Sequence, residues 1–444
     1  MNELLSITEM YRADAVCGIA ENILIENAGR AVAEEIVRRF GARRTVVVCG
    51  PGNKGKDGAV AAGYLRGWGW PVEISQDVSG AHLIIDALYG AGLNREFPEA
   101  LAAKINGAGV PVVAIDLPSG LDGNSGQPRG FALYADVTIT FFRKKPAHVL
   151  LPGKSYCGEI VLADTGISAA VLDVIKPRLW ENSKPLLPRP AMIGHKFNRG
   201  HAVIISGGKF QTGASRLAAQ ACLQSGAGLV TLVGSADALA VHANHLTAVM
   251  LAEIEGPMAL GNFLSDGRIN SVCIGPAAGI GEATKQLVQI TLMSQAHVVL
   301  DADALTSFMN NPAELFDWIK RKSSGSVVMT PHAGEFSRLF GTAVGGKIDR
   351  AKRAAEQSGA IVILKGSDTV IAHPDGRAVV NTNAPPSLAT AGSGDVLAGI
   401  LTGLLAQNMD PYAAACGAVW LHGDTANAFG QNHFTSEDMV QKIR

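Results

Sequence analysis

The chain has 444 residues, 47% of them hydrophobic and 17% charged, with a formal net charge of −1. This apolar, Gly- and Ala-rich balance excludes a disordered chain, and the length allows two or three domains whose cores need neither disulfides nor a structural metal. The near-neutral charge points away from nucleic acid and from an anionic membrane surface.

Residues 1–10 carry two acids and no apolar run, so no signal peptide is expected. No window approaches the ~20 apolar residues of a membrane span, and a cytoplasmic enzyme is expected. A helix is predicted over 20–40 from its one-sided apolar pattern. Short apolar runs at 45–49, 72–74, 83–88, 110–115 and 137–142 read as buried parallel strands, with helical stretches at 58–66 and 98–106 between some of them. Arg143, Lys144 and Lys145 read as a solvated strand end. The stretch 184–190 has three prolines in seven residues and reads as an extended linker, placing a domain boundary between 1–183 and 184–444. The alternation then restarts. Strands are expected at 202–206, 229–233, 272–274, 298–300, 327–329, 361–364 and 370–372, with helices at 214–225, 282–293, 334–339, 350–358 and 395–405. Two α/β halves built on parallel sheets follow. Cys17, Cys49, Cys157, Cys222, Cys273 and Cys416 are scattered with no CxxC pair, and read as reduced thiols rather than a zinc site.

The sharpest motif is Ala389-Thr390-Ala391-Gly392-Ser393-Gly394-Asp395, at the entrance to an apolar helix. Glycines there let a ligand approach the backbone, and first-turn N–H groups with the helix dipole make an anion site. The bland alternative makes Asp395 an ordinary first-turn acid and Ser393 an N-cap. Gly392-Ser393-Gly394-Asp395 resembles the anion-hole motif of the ribokinase-like superfamily. His195-Lys196, Thr212-Gly213-Ala214, 226–231, 301–305, 330–335, 365–369 and Leu421-His422-Gly423 extend the resemblance to the ADP-dependent NAD(P)H-hydrate dehydratases, over nearly all of 190–444. It implies that Lys365, Gly366, Ser367, Asp368, Thr369 and Gly394 contact ADP. It implies that Gly213 or Ala214, Gly279, His332 and Asp395 contact the hydrated dinucleotide. Asp395 is the expected catalytic base, and magnesium is expected with ADP. Without the resemblance, Lys365 reads equally as a solvated strand end, whereas His332, whose alternative is a helix cap, is favoured for ligand contact by its place after Thr-Pro at a strand end. Two segments depart from the family. Ala277 stands where glycine is usual in 275–279, removing freedom for positive φ, and Pro385-Pro386-Ser387 replaces a usual Asn-Pro-Gly.

In the first half, strand 45–49 runs into the Gly-rich turn 50–58, which suits phosphate, although it matches neither GxGxxG nor a Walker A loop. Asp86 and Asp116 stand at two further strand ends that would share an edge with that turn, each otherwise readable as a helix cap. With Glu26-Asn27-Ala28-Gly29-Arg30, 86–93 and 116–120, this half resembles the NAD(P)H-hydrate epimerase domain, a Rossmann-like fold, over about 5–165. The resemblance implies a potassium ion on the hard oxygens of Asn53, Asp86 and Ser119. It implies hydrate contact by Asn53, Lys54, Gly55, Lys56 and Asp57, by Gly90, Ala91, Gly92, Leu93, Asn94, Arg95 and Glu96, and by Asp116, with Asp116 as the catalytic proton carrier. Lys54 and Lys56 replace an Asn and a Gly of the family loop, and either strengthen phosphate attraction or block the close approach.

The expected partners are small molecules, hydrated NADH or NADPH and ADP, in a homo-oligomer. Two other readings stay open: a vitamin or sugar kinase of the same superfamily, and a nucleotide-binding module whose first half is an inactive ligand domain.

Overall fold

The structure, a computed structural model, describes residues 2–90, 92–93, 95–189, 192–341, 344–430 and 432–443. The chain folds as two compact units, Met1–Glu181 and Asn182–Arg444.

In the first unit, β1 (Asn2–Glu3) pairs antiparallel with β8 (Leu179–Glu181). The remaining strands are β2 (Thr45–Cys49), β3 (Val72–Ile74), β4 (Leu83–Ala87), β5 (Val112–Ile115), β6 (Val137–Phe141) and β7 (Glu159–Ala163). They form a parallel sheet in the order β3-β2-β4-β5-β6-β7. The central strands are buried along their whole length and apolar apart from Asp86, because helices cover both faces. Helices Glu21–Arg39 and Asn53–Gly67 cross so closely that a β-carbon on Gly29 would lie 2.5 Å from the Val60 side chain. The turn after β2 is shorter than the sequence suggests. The helix already starts at Asn53 with Gly52 as its N-cap, and the turn can be this tight because Gly55 has no side chain: a β-carbon there would meet the Gly50 carbonyl at 1.9 Å. Edge strand β7, with Glu159 and Leu162 exposed, lacks the apolar run that betrays its neighbours.

The second unit has β9 (His201–Ile205), β10 (Leu229–Gly234), β11 (Met250–Glu253), β12 (Ile269–Ile274), β13 (His297–Leu300), β14 (Val327–Met329), β15 (Ile361–Leu364), β16 (Val370–Ala372) and β17 (Ala378–Val380). Their order is β17-β16-β15-β14-β13-β12-β9-β10-β11, with β15-β16-β17 an antiparallel meander and the rest parallel. The helix Ser393–Ala406 is buried from Val396 onward, packed on β12 and on helix Gly213–Gln224. Two glycines permit the crossing. A β-carbon on Gly399 would sit 2.2 Å from the Ala218 carbonyl, and one on Gly403 would sit 2.0 Å from the Ser225 hydroxyl. The glycines therefore set how the mouth of this helix meets the carboxyl edge of the sheet, where ligands of parallel α/β folds bind.

Candidate functional site

In the second unit the helix mouth is capped by Gly392, at φ +83° and with no side-chain cap. Ser393 is therefore the first helical residue rather than the cap, and its hydroxyl donates to the Leu388 carbonyl at 2.9 Å. That bond ties the short 3-10 turn Pro386–Leu388 to the helix mouth. The Ser393 N–H donates to the Thr390 carbonyl at 3.3 Å, and with no side-chain cap the Gly394 and Asp395 amides are the ones left for an anion. Asp395 lies in this turn. Burial, together with the charges of Asp301 and Asp303, outweighs Lys365 and pushes its carboxyl up to about 7.

Lys365, just past β15, pairs with Asp301 at 2.8 Å, and the Thr330 hydroxyl donates to the same carboxyl oxygen at 2.6 Å. Burial opposes the charge on Lys365, but Asp301 and Glu335 overcome it and its pKa ends raised. A β-carbon on Gly394 would lie 3.5 Å from the Lys365 ammonium, in ordinary contact with it, so the helix mouth and the lysine are neighbours. Asp303 accepts from the Gly279 N–H at 2.9 Å. Asp301, Asp303, Lys365, Gly279, Gly394 and Asp395 thus form one neighbourhood. Gly213 and Ala214 open the helix Gly213–Gln224, and a β-carbon on Gly392 would meet its Leu217 at 2.7 Å.

Ala277 takes φ +54° despite its side chain, a strained residue that keeps the loop's turn without the usual glycine. His332 is a helix cap: its Nδ1 accepts from Gly334 N–H at 2.9 Å, and Glu335 accepts from the His332 N–H at 2.8 Å. More than half of its side chain stays exposed. After β15, the Gly366 N–H donates to the Thr369 hydroxyl at 3.2 Å, Ser367 is exposed, and Asp368 pairs with Lys347. Asp301 and Thr330, which hold Lys365 in place, lay inside the motifs but were not singled out as site residues. His422, beside the Ser393 backbone, is driven by burial down to about 4 and is neutral.

The first unit holds a cavity of 760 Å³ at the carboxyl edge of its sheet. Of the expected contacts, Asn53, Lys54, Asp57 and Gly90 line it, together with Gly92, Leu93, Arg95 and Asp116. Gly55 faces the Gly50 carbonyl, Lys56 bonds to Asn53 at 3.0 Å, and Glu96 lines a separate shallow depression. Ala91 and Asn94 lie outside the described residues. Asp116 sits at φ +65° just past β5, with its side chain one-fifth exposed. Burial would raise its pKa, but the Lys145 ammonium at 2.6 Å holds the carboxyl well below the usual range. Lys145 also donates to Thr140 at 2.9 Å. The Lys145 N–H donates to His148 Nδ1, so His148 Nε2 carries the proton and donates to the Asp116 carbonyl at 2.8 Å.

The sequence places Lys145 in a solvated strand end. It is instead buried against Asp116, while Arg143 and Lys144 pair with Glu3 and Glu181. The available signal was its place just beyond the strand next to the one that ends at Asp116. Asp57 is pushed up to about 8, first by burial and then by Asp116. Tyr11 and Asp14, also in the cavity wall, are raised by burial too.

The three oxygens expected for potassium do not converge. Asn53 donates to Glu21 at 2.7 Å and accepts from Lys56, both at the surface. Asp86 and Ser119 are buried together, the Ser119 hydroxyl donating to Asp86 at 2.6 Å, and Lys54, bonded to the neighbouring Tyr89 carbonyl, interacts with the Asp86 charge through space. Asp86 lies inside β4 and is not a helix cap. A potassium ion on Asn53, Asp86 and Ser119 therefore does not fit this arrangement. Among the described residues no group of three or more His, Cys, Asp or Glu side chains could hold a metal ion, and all six cysteines are free.

Fold and site together define a two-unit α/β enzyme whose second unit is of the ribokinase-like type. Residues 202–444 match the family described as NAD(P)H-hydrate dehydratase, and residues 21–79 and 71–147 match the family described as YjeF-related protein N-terminus. The chain belongs to the family of bifunctional NAD(P)H-hydrate repair enzymes: it is 32% identical to that enzyme of Thermofilum pendens, over 96% of this chain and 92% of the relative. The Moorella thermoacetica enzyme of the same description is also 32% identical, over 98% of this chain and 95% of the relative. The ADP/ATP-dependent NAD(P)H-hydrate dehydratase of Bacillus subtilis, co-crystallised with ATP and magnesium, superposes with a TM-score of 0.50. It is 29% identical, covering 58% of this chain and 92% of its own. A ribokinase-like superfamily protein of Enterococcus faecalis reaches a TM-score of 0.52 at 27% identity, over 58% of this chain and 90% of its own. No described helix is long and apolar enough to cross a membrane.

Proposed function

We propose that the chain repairs hydrated NADH and NADPH, residues 1–183 interconverting the two hydrate epimers and residues 184–444 dehydrating the S form with ADP. The observation that carries this reading is Asp395. It is a carboxyl poised near 7 in the first turn of a helix with no side-chain cap, with the Lys365–Asp301 pair beside it. A general base works best when its pKa lies near the working pH.

In this reading Asp395 takes the proton of the ring hydroxyl as that oxygen attacks the β-phosphorus of ADP. The new O–P bond forms as the bond to the bridging oxygen breaks, and AMP leaves. The amides of the helix mouth and Lys365 hold the charge of the transferred phosphoryl group. Inorganic phosphate then departs with the ring C–O electron pair while a neighbouring ring proton is lost, restoring the double bond of NADH or NADPH. Gly366, Ser367, Asp368 and Thr369 would flank ADP, and Gly213, Ala214, Gly279 and His332 the dinucleotide. Magnesium would arrive on the phosphates of ADP, as this ion keeps most of its ligands outside the protein.

In the first unit, epimerisation requires the hydroxyl to leave its ring carbon and return to the other face. Asp57, protonated at neutral pH, can give the departing hydroxyl its proton. Asp116, expected from the sequence to carry the proton, is kept ionised by Lys145 and in this reading instead offers negative charge to a ring that becomes cationic. No step here is routed through potassium. We place the reactions in the cytoplasm and in a homo-oligomer, the latter checked by light scattering.

The test is to incubate the protein with mixed hydrate epimers and ADP, following the absorbance of the reduced nicotinamide. Complete conversion is expected. Conversion stalling partway removes the epimerase, and a stable phosphorylated product without reduced nicotinamide identifies a kinase instead.

A further inference from the structure

Lys54 lies in the first turn of helix Asn53–Gly67 and is 7% exposed. Its ammonium donates to the Tyr89 carbonyl at 2.8 Å and, closer still, to the Leu117 carbonyl. The Tyr89 carbonyl also accepts from the Ser119 hydroxyl at 3.0 Å, and Ser119 bonds in turn to Asp86 through both its hydroxyl, at 2.6 Å, and its N–H, at 2.7 Å. Asp86 has no exposed surface. The loops after β4 and β5 thus turn two carbonyls toward one point, with the buried Asp86 carboxylate behind them, joined to the Tyr89 carbonyl through the Ser119 hydroxyl. Hard oxygens so arranged are what an alkali cation takes in exchange for its water. An ammonium is a compact single charge with three donors to spend on the same oxygens. Without a cation there, Asp86 would be a buried charge with no counter-ion, which is costly.

We propose that the Lys54 ammonium is the resident cation of the first unit, standing where a monovalent metal ion would otherwise sit, so that this unit is independent of potassium. The lysine is held by its own helix and cannot dissociate, so cation occupancy does not follow the salt composition of the medium as binding of a free ion does. The geometry also couples this cation to the cavity: a β-carbon on Gly90 would lie 3.5 Å from the Lys54 side chain and 3.7 Å from Asp116 Oδ2. The ammonium therefore braces the two loops that shape the cavity wall, from behind Gly90. Lys54 is a positioning residue in this account. The inference rests on the epimerase reading for what the braced loops do, and on the oxygen cage alone for what fills it.

The test compares melting of the full chain in potassium chloride and in tetramethylammonium chloride at equal ionic strength. The unaltered protein should melt within about 1 °C in the two salts, because a filled cage has no place for potassium. Lys54→Asn empties the cage while supplying an oxygen, so it should melt lower in tetramethylammonium chloride and recover in part with potassium. Lys54→Met fills the space without charge and should lose stability that potassium does not restore. An unaltered chain that melts several degrees higher in potassium overturns the proposal, and so does a Lys54→Asn chain as stable as the parent and indifferent to both salts. If the variants do not fold, the comparison on the parent chain still decides. A chain that meets these expectations yet leaves the hydrate epimers unchanged removes the epimerase reading and leaves the caged ammonium in place.

Discussion

Asp57 and Asp395 are carboxyl groups whose surroundings oppose their ionisation, and both effects should show in solution. An ordinary aspartate titrates near 3.8, and these two near 8 and near 7 in the folded chain. The folded state therefore binds their protons more tightly than the unfolded state does. Their contribution to stability is complete below about pH 4 and declines as pH rises towards 8. Asp395→Asn should accordingly match the parent near pH 4 and melt a few degrees higher at pH 8. The same variant should slow dehydration by roughly a hundredfold to ten-thousandfold. Melting curves at the two pH values and an initial-rate assay check both, and equal melting at pH 8 would contradict the strained carboxyl. Asp116 is the opposite case, stabilised as an anion by Lys145. Lys145→Met leaves that anion mostly buried and without its ion-pair partner. It should cost about 3 kcal/mol in urea unfolding at neutral pH, with the loss shrinking in strong acid as Asp116 becomes protonated.

At the scale of elements, the helix Ser393–Ala406 carries the second site through its packing rather than its charge. Its mouth is positioned by the glycine-lined crossing with helix Gly213–Gln224, where no β-carbon fits at Gly399. Gly399→Val should force the helices apart and destabilise the second unit by about 1–3 kcal/mol. The shift would carry the amides and Asp395 away from Lys365, so dehydration should fall far more than the loss of folded protein accounts for. Circular dichroism and the rate per folded molecule separate the two effects, and a drop in rate that only tracks folding would count against the crossing as a positioning device. In the first unit the corresponding device is the tight turn from β2 into helix Asn53–Gly67, which delivers Lys54 and Asp57 to the cavity side by side.

Across the whole molecule the two activities need only share a diffusible hydrate. A chain carrying Asp395→Asn and a second carrying Asp116→Asn should each stall on mixed epimers, and an equal mixture of the two should again convert them completely. Failure of the mixture, with each chain folded, would mean that the hydrate is not released between sites. Much of this organisation was legible in the residues. The apolar runs of β2, β4, β5, β9 and β13 announce buried parallel strands, and Gly392-Ser393-Gly394-Asp395 announces an anion-binding helix mouth, because strand burial and helix entrances depend on near neighbours in the chain. Edge strands β7 and β11 escaped because half-exposed strands lose that pattern. The partners of charged groups also stayed hidden: Lys145 with Asp116, Lys365 with Asp301, and Lys54 with the carbonyls of Tyr89 and Leu117. Local order along the chain determined where the acids and glycines stand. Which cation faces which anion, and so which carboxyl is held ionised and which keeps its proton, was decided only when distant strand ends met at one edge, since burial and Coulomb interactions act through space.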